Sequence, residues 1–422
     1  MNIRTYHTIL PNILVLSAFG IYLGSAIRVE HLIIYPAMLI FFILSISSKH
    51  LIVNDYFKLL FLWTNIIIIA ILVTIFNFEE RDFLKVLADI ESVLQPLAIM
   101  FLFIFLFIGT TIHDITLRIL NTCKLLIMML SLNTIIILIS TIINITEILK
   151  YFWNSNFEWS VAELAMTNGR YSGIFNQPME SGVMYSIGLF AWLYINEKEK
   201  IINFTYTFIL NLLLIGGIYS VSKIFLFGGL ILFLFGIFLN RAVLGKIFYP
   251  SLLTTIFGYV AYYYLLKNWT GLDYLLRFIG SNDGIVNLIT SGRYGGDNSQ
   301  QSQFFYNLFK ESPIYGRGFG VTEVYDSGYY FFFAISGSIG VAILIIVLAS
   351  LLVKSFKFII QNSFQAESKF FLYLTILILG SSFGSPVMTL NRTSIVLWVF
   401  MGLLYQYSFI EKYNLKKNIK GE

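Results

Sequence analysis

The chain is short of charge, cysteine and histidine, and each shortage removes a class of function. Charged residues are 12% and hydrophobic residues 57% of 422, against the roughly one quarter charged that is usual in soluble domains. Water is therefore not its main solvent. A single cysteine, Cys123, excludes an intramolecular disulfide, and its place at the expected start of a helix beside Lys124 marks it as a packing residue. The histidines are His7, His31, His50 and His113, none in a long loop, so neither a histidine base nor a zinc site is expected there. No metal-ligand spacing occurs elsewhere, and the chemistry is expected to run without metal or cofactor. Walker-type phosphate loops, dinucleotide glycine fingerprints and serine-nucleophile elbows are missing too, which argues against coupling to bound ATP. Internal repeats and matching halves are also lacking, and this asymmetry points away from a simple alternating-access carrier.

What the chain does have is long apolar runs. A bilayer core takes roughly 20 apolar residues as helix, and backbone that cannot pair in lipid excludes irregular spans. The expected fold is all-α: one polytopic transmembrane domain over residues 1–422, with about twelve spans. These fall near 8–24, 31–47, 58–76, 93–112, 124–146, 181–195, 203–219, 223–240, 247–266, 329–353, 370–387 and 393–410. The first is expected to be an uncleaved helix, since no small-residue cleavage site follows it. With the N-terminus in the cytoplasm, the terminal segments and short inner connections hold sixteen of the 28 Lys and Arg residues, which places both termini inside. Residues 78–92 carry Phe83, Leu87, Ile90 and Leu94 at helical spacing among acidic residues, the pattern of an interfacial amphipathic helix, with a plain polar linker as the alternative. Two large loops, 147–180 and 267–328, lie on the non-cytoplasmic side. Long loops are either functional or disordered, and Phe152, Trp153, Trp159, Leu275, Phe304, Phe305, Leu308 and Phe309 argue against disorder.

Candidate chemistry concentrates in these loops and one short turn. The run from Asn168 to Pro178 leads into Glu180 and Gly182. Its Gly169, Gly173 and Pro178 favour a turning backbone, and Arg170 within it offers a planar fork for phosphate oxygens. Pairing of Arg170 with a carboxylate or lipid headgroup explains it equally well. Ser220-Val221-Ser222-Lys223 is a tight turn ending in an ammonium, for which snorkelling is the plain alternative. In the second loop, glycines flank Arg293 and Arg317, so backbone amides and guanidinium groups together suit an anion; a flexible surface loop is the alternative. Asp326 precedes the next expected helix and is either a base or an ordinary cap.

The order of these clusters resembles the O-antigen polymerase and ligase superfamily, most closely the Wzy-type oligosaccharide repeat-unit polymerases. The matching features are Arg170, Gly173, Phe175 and Pro178; the turn Ser222-Lys223; Ser291 to Arg293; Ser312 to Gly318; and Asp326-Ser327. The specific residues lie between 168 and 329, and the hydropathy profile matches along the whole chain. Lys223 stands where the family often has arginine, which keeps the charge and loses the bidentate fork. Asp326 stands where ligases carry a histidine, which favours the polymerase branch.

The resemblance implies a GT-C-like, metal-independent glycosyltransferase of the bacterial inner (plasma) membrane, acting on undecaprenyl-pyrophosphate-linked oligosaccharides at the outer leaflet. Its partners are these lipids and the bilayer, with a chain-length regulator as a further candidate and no nucleic acid. It implies pyrophosphate binding by Arg170 and Arg293, supported by Lys223 and Arg317. Asp326, ranked just ahead of Glu180, would accept the proton. The competing readings are a flippase or transporter of lipid-linked oligosaccharides and an O-antigen ligase.

Overall fold

The computed structural model describes residues 3–23, 28–47, 55–77, 81–105, 110–153, 161–200, 204–239, 269–271, 273, 300–321, 327–361 and 365–420. Among these residues there is no β-strand, only an isolated bridge between Tyr22 and Arg28. The helices are α1 (Ile3–Ser17), α2 (Val29–Ser47), α3 (Asp55–Phe76), α4 (Phe83–Phe105), α5 (Ile112–Ile142), α6 (Thr146–Leu149), α7 (Val161–Thr167), α8 (Pro178–Glu199) and α9 (Phe204–Tyr219). A π-helical stretch, Ile224–Gly229, leads into α10 (Leu230–Leu239), followed by α11 (Gln300–Glu311), α12 (Gly328–Gln361), α13 (Ala366–Ser381) and α14 (Asn391–Lys420).

Each expected span except 247–266, which lies outside the described residues, overlaps these helices at least in part. By length and composition five of them can cross a membrane: Tyr56–Phe76, Phe83–Phe103, Ile112–Ile142, Gly328–Gln361 and Arg392–Glu411. Several boundaries differ from the sequence reading: the first helix ends at Ser17 rather than 24, α13 at Ser381 rather than 387, and α12 runs on to Gln361. The largest differences at a helix start are those of α4 and α5. The surface helix expected at 78–92 and the span at 93–112 are replaced by one continuous α4, because nothing between Phe83 and Phe105 breaks the helix except Pro96, which it absorbs. Helix α5 begins twelve residues before the expected 124. There Thr111 and Asp114 form a capping box: Thr111 Oγ1 bonds Asp114 Oδ2 at 2.8 Å and Asp114 N–H donates back to Thr111 Oγ1 at 3.2 Å.

The chain divides into two compact units. The first comprises Met1–Leu14, Glu30–Ile119 and Ile285–Glu422. Its core is centred on Trp63 of α3, which lies edge-on to Trp398 of α14 at 5.6 Å and to Phe332 of α12 at 5.5 Å. The Trp63 indole N–H donates to Val93 O of α4 at 3.0 Å, so the one polar atom of this ring is satisfied in an apolar setting. Helix α14 approaches α4 where Gly402 leaves room for the Phe103 ring, and Gln406 donates to Phe103 O at 2.8 Å.

The second unit comprises Val15–Val29 and Leu120–Gly284. Its central element is α8, buried from Ser181 to Asn196 on all sides, as expected of a helix that is apolar around its circumference. Small residues let neighbours come close: Gly182 against Ser222, Gly188 against Leu130, and Gly229 against Ser186. At the other end of α8, Lys124 of α5 pairs with Glu199, and Lys200 ends the helix in a left-handed conformation (φ 54°).

Candidate functional site

The second unit gathers Arg170, Glu180 and Lys223 around the start of α8. Short α7 ends in two turns that return the chain: Gly169 N–H donates to Met166 O at 2.9 Å and Arg170 N–H to Ala165 O at 3.0 Å. Gly169 has φ +68° and lies against Thr270 and Gly271, a conformation and closeness that require glycine. Its carbonyl accepts the Trp269 indole N–H. Tyr171 N–H then donates to Tyr219 O at 2.9 Å, which fixes the Arg170 segment to the end of α9.

Beyond Tyr171 the loop is buried from Ser172 to Phe175. Ser172 Oγ donates to Phe175 O at 2.7 Å, and the Trp153 indole N–H donates to Gly173 O at 3.0 Å. Asn133 of α5 engages both flanks of Gly173, accepting Ile174 N–H at 2.9 Å and donating to Ser172 O at 3.3 Å. Pro178 takes the first helical position of α8, where its missing N–H is no loss. Glu180, 2% exposed, reaches back so that Oε2 accepts Asn176 N–H at 3.1 Å.

Lys223, half-buried, follows the turn Ser220–Ser222, in which Val221 has φ 46°. Ser222 packs on Gly182, within the first turns of α8. The segments that carry the two candidate cations thus come to the same end of the unit from different directions, Arg170 after α7 and Lys223 after the α9 turn. An aromatic row lies beside Arg170: Tyr171 and Tyr219 at 6.0 Å, Tyr219 and Trp269 at 5.1 Å. Burial pushes the Tyr171 phenol above its ordinary range, so at neutral pH it keeps its proton and is a hydrogen-bond donor rather than a base.

Arg317 belongs to the first unit. Its guanidinium, one-third exposed (33%), pairs with Glu311 at the end of α11. The surrounding segment is a packed strap, not a flexible surface loop. Arg317 N–H donates to Ala334 O at 2.7 Å, Phe319 N–H to Thr74 Oγ1 at 2.7 Å and Gly320 N–H to Asp89 Oδ2 at 2.8 Å, while Arg81 donates to Arg317 O. The amides of residues 317, 319 and 320 are therefore engaged within the protein. Gly316, Gly318 and Gly320 all have positive φ and lie against α12, α3 and α4 respectively, so their role here is close packing.

The strap also passes through a break in α12. Gly337 is non-helical (φ 63°, ψ −160°), and the amides of Ser338 and Ile339 are satisfied by Pro313 O at 3.0 Å and Ile314 O at 3.3 Å. The loop aromatics are likewise internal. Phe305 of α11 stacks on Tyr330 at 4.5 Å and meets Phe333 at 4.9 Å, with Leu308 buried beside them. Arg293 and Asp326 lie outside the described residues. Ser327, next to Asp326, is fully buried, and Gly328 N–H is held by Ser382 O at 2.9 Å.

Sequence reasoning missed Asn133 and Trp269. A polar side chain in mid-span is a signal for Asn133; an indole in a loop of an aromatic-rich chain is none for Trp269. No known family model matches the chain, and no curated protein is significantly similar to it.

Proposed function

We propose that this chain is a membrane glycosyltransferase that polymerises undecaprenyl-pyrophosphate-linked oligosaccharide repeats at the outer leaflet. In this reading it spans the inner membrane about twelve times, both termini are cytoplasmic, and loops 147–180 and 267–328 face outward. The observation that supports the reading is that the Arg170 segment, tied to the end of α9 through Tyr171, and the Lys223 turn, packed on α8 through Ser222, come to the same end of the second unit, with the backbone of the Arg170 loop held by Asn133 and Glu180.

The chemistry asks for such an arrangement. An acceptor sugar hydroxyl attacks the anomeric carbon of the donor, the bond from that carbon to pyrophosphate oxygen breaks, and the hydroxyl proton passes to a carboxylate. Charge grows on the departing pyrophosphate, so cations fixed in advance stabilise the transition state more than the ground state. Exposed ion pairs contribute only about 0–1 kcal/mol; charge-assisted bonds in a shielded site are stronger. Arg170 and Arg293 are assigned to the pyrophosphate, with Lys223 and Arg317 in support. Arg317 must exchange Glu311 for the substrate anion to take that part. Asp326 is assigned as the proton acceptor, and the partly exposed rings of Tyr171 and Trp269, which flank the buried Tyr219, offer faces to sugar rings.

The test is elongation of preassembled lipid-linked repeats by the full-length protein in vesicles, without ATP or an ion gradient. Wild type should yield a ladder of products, and Arg170→Ala or Arg293→Ala should abolish it while the protein still inserts. Normal chain lengths in both variants would sink the proposal. Movement of one repeat across the bilayer without elongation would identify a flippase instead, and transfer of finished glycan to another acceptor a ligase.

A further inference from the structure

The Arg170 loop does not sit over the end of its helices; it descends beside them. Asn133, which holds Ser172 and Ile174, lies nine residues before the end of α5 at Ile142, about 13 Å along the axis. Its other partner, Tyr185, lies seven residues inside α8 from Pro178, about 10 Å along that axis. Non-helical backbone at such depth is tolerated only where protein groups replace water as its partners. Asn133 supplies them. It is 1% exposed, Oδ1 accepts Ile174 N–H at 2.9 Å, and Nδ2 donates to Ser172 O at 3.3 Å and to Tyr185 OH at 3.1 Å.

The amide is itself held in place. Tyr185 OH lies 2.8 Å from Thr134 Oγ1, which donates to Leu212 O of α9 at 2.9 Å. One polar chain thus connects α5, α8, α9 and the loop. Gly173, between the two backbone groups that Asn133 binds, has φ +63°, and a Cβ there would collide with the Asn133 amide. The contact is therefore a fitted one, made by one side chain against one glycine. Both a donor and an acceptor are needed at this position, pointing at groups two residues apart. Asparagine provides them on one short planar head; aspartate has no donor when ionised, and leucine has neither.

Resting on the phosphate role proposed for Arg170, we infer that Asn133 is the positioning residue of the catalytic loop, setting the place of the Arg170 guanidinium without touching substrate. Ser172 is two residues from Arg170, and Tyr171 between them is tied to Tyr219 O, so a shift at Ser172 is passed to Arg170 through a short, constrained stretch. Displacements of about 1 Å at a reacting centre are enough to cost about a hundredfold in rate.

The experiment uses the full-length chain in vesicles. Asn133→Leu should lower kcat for elongation by roughly tenfold to a hundredfold, with KM for the lipid-linked donor little changed. In an Arg170→Lys background, where the fork is already lost, the same change should cost less than about twofold, because residues that act as a unit are not additive. Equal losses in both backgrounds, or an unchanged kcat, would overturn the inference. A second measurement is independent of activity. With the buried Cys123 replaced by serine, a cysteine placed at 170 should be alkylated by an impermeant maleimide at a clearly different rate when Asn133 becomes leucine; an unchanged rate counts against the role.

If Asn133→Leu fails to insert, Tyr185→Phe, which removes one partner of the amide, should give a smaller loss of the same kind, and a wild-type rate in that variant would overturn the role. Should Arg170→Lys and Arg170→Ala both elongate normally, the phosphate reading of Arg170 fails, and the labelling rate still decides whether Asn133 sets the loop.

Discussion

Glu180 uses its carboxylate on the chain's own backbone. Oε2 accepts the amide of Asn176, and the side chain is buried; the glutamate of a capping box reaches back to the N-cap amide, and Glu180 reaches one residue further, past the N-cap Gln177. Within the proposed reaction this favours Asp326 over Glu180 as the proton acceptor. Glu180→Gln keeps an acceptor at the same distance and should retain near-wild-type elongation, whereas Glu180→Ala should lose about 0.5–2 kcal/mol of stability, read as a lowered Tm in detergent. Loss of elongation in Glu180→Gln with an unchanged Tm would move the base to Glu180. Gly173 gives a second residue-scale outcome. Its positive φ and its contact with Asn133 leave no room for a side chain, so Gly173→Ala should destabilise the protein by about 1–3 kcal/mol from the backbone conformation alone, seen in the same melt.

At the scale of elements, α12 is two helical pieces joined at Gly337, and the join is closed by carbonyls of Pro313 and Ile314. The backbone angles there belong almost only to glycine, and a Cβ would run into the Ile314 carbonyl. Gly337→Ala should therefore cost more than the roughly 1 kcal/mol that an ordinary glycine contributes in a helix, with the opposite sign to the usual gain from replacing a mid-helix glycine by alanine. A variant that melts higher than wild type would show that the break is not needed.

Such a join was not legible in the sequence. A glycine between two serines in an apolar run reads as a tolerated helix residue, and its partners come from more than twenty residues upstream. The helix positions themselves were legible, because hydropathy is local and the bilayer sets the length. The misplaced starts of α4 and α5 had two causes. One is a proline that the helix absorbs; the other is the Thr111–Asp114 capping box, a readable signal hidden by the polar residues that follow it. Turn glycines revealed the Arg170 loop, but depth and wiring did not show, since Asn133 is nearly forty residues from Ser172 in sequence.

For the whole molecule, the outward faces of the long helices are apolar, with Leu72, Ile75 and Phe76 of α3 and Ile345, Ile346 and Val353 of α12 exposed. On a soluble protein such surface is an aggregation hazard; beside lipid it has a partner. The proposed orientation makes a concrete mapping prediction. The native Cys123 is buried, so single cysteines can be placed against a quiet background. A cysteine at Lys150, partly exposed in the first loop, should react with an impermeant maleimide added outside intact cells or spheroplasts. One at Lys357, exposed on the last turns of α12, should react only after permeabilisation. The reverse pattern would invert the topology and move the proposed site to the cytoplasmic face.

The joint between the strap and α12 also constrains how the protein can diverge. Pro313, Ile314 and Ala334 take part through their carbonyl oxygens, atoms that every amino acid possesses, so that bonding is indifferent to which side chains stand there. Gly316 and Gly337 take part through what they lack, as Gly318 and Gly320 do where the strap meets α3 and α4, and no other amino acid lacks it. Descendants of this chain should therefore carry four fixed glycines in a stretch of otherwise drifting sequence, a pattern that resembles neglect in an alignment and in the molecule marks the join.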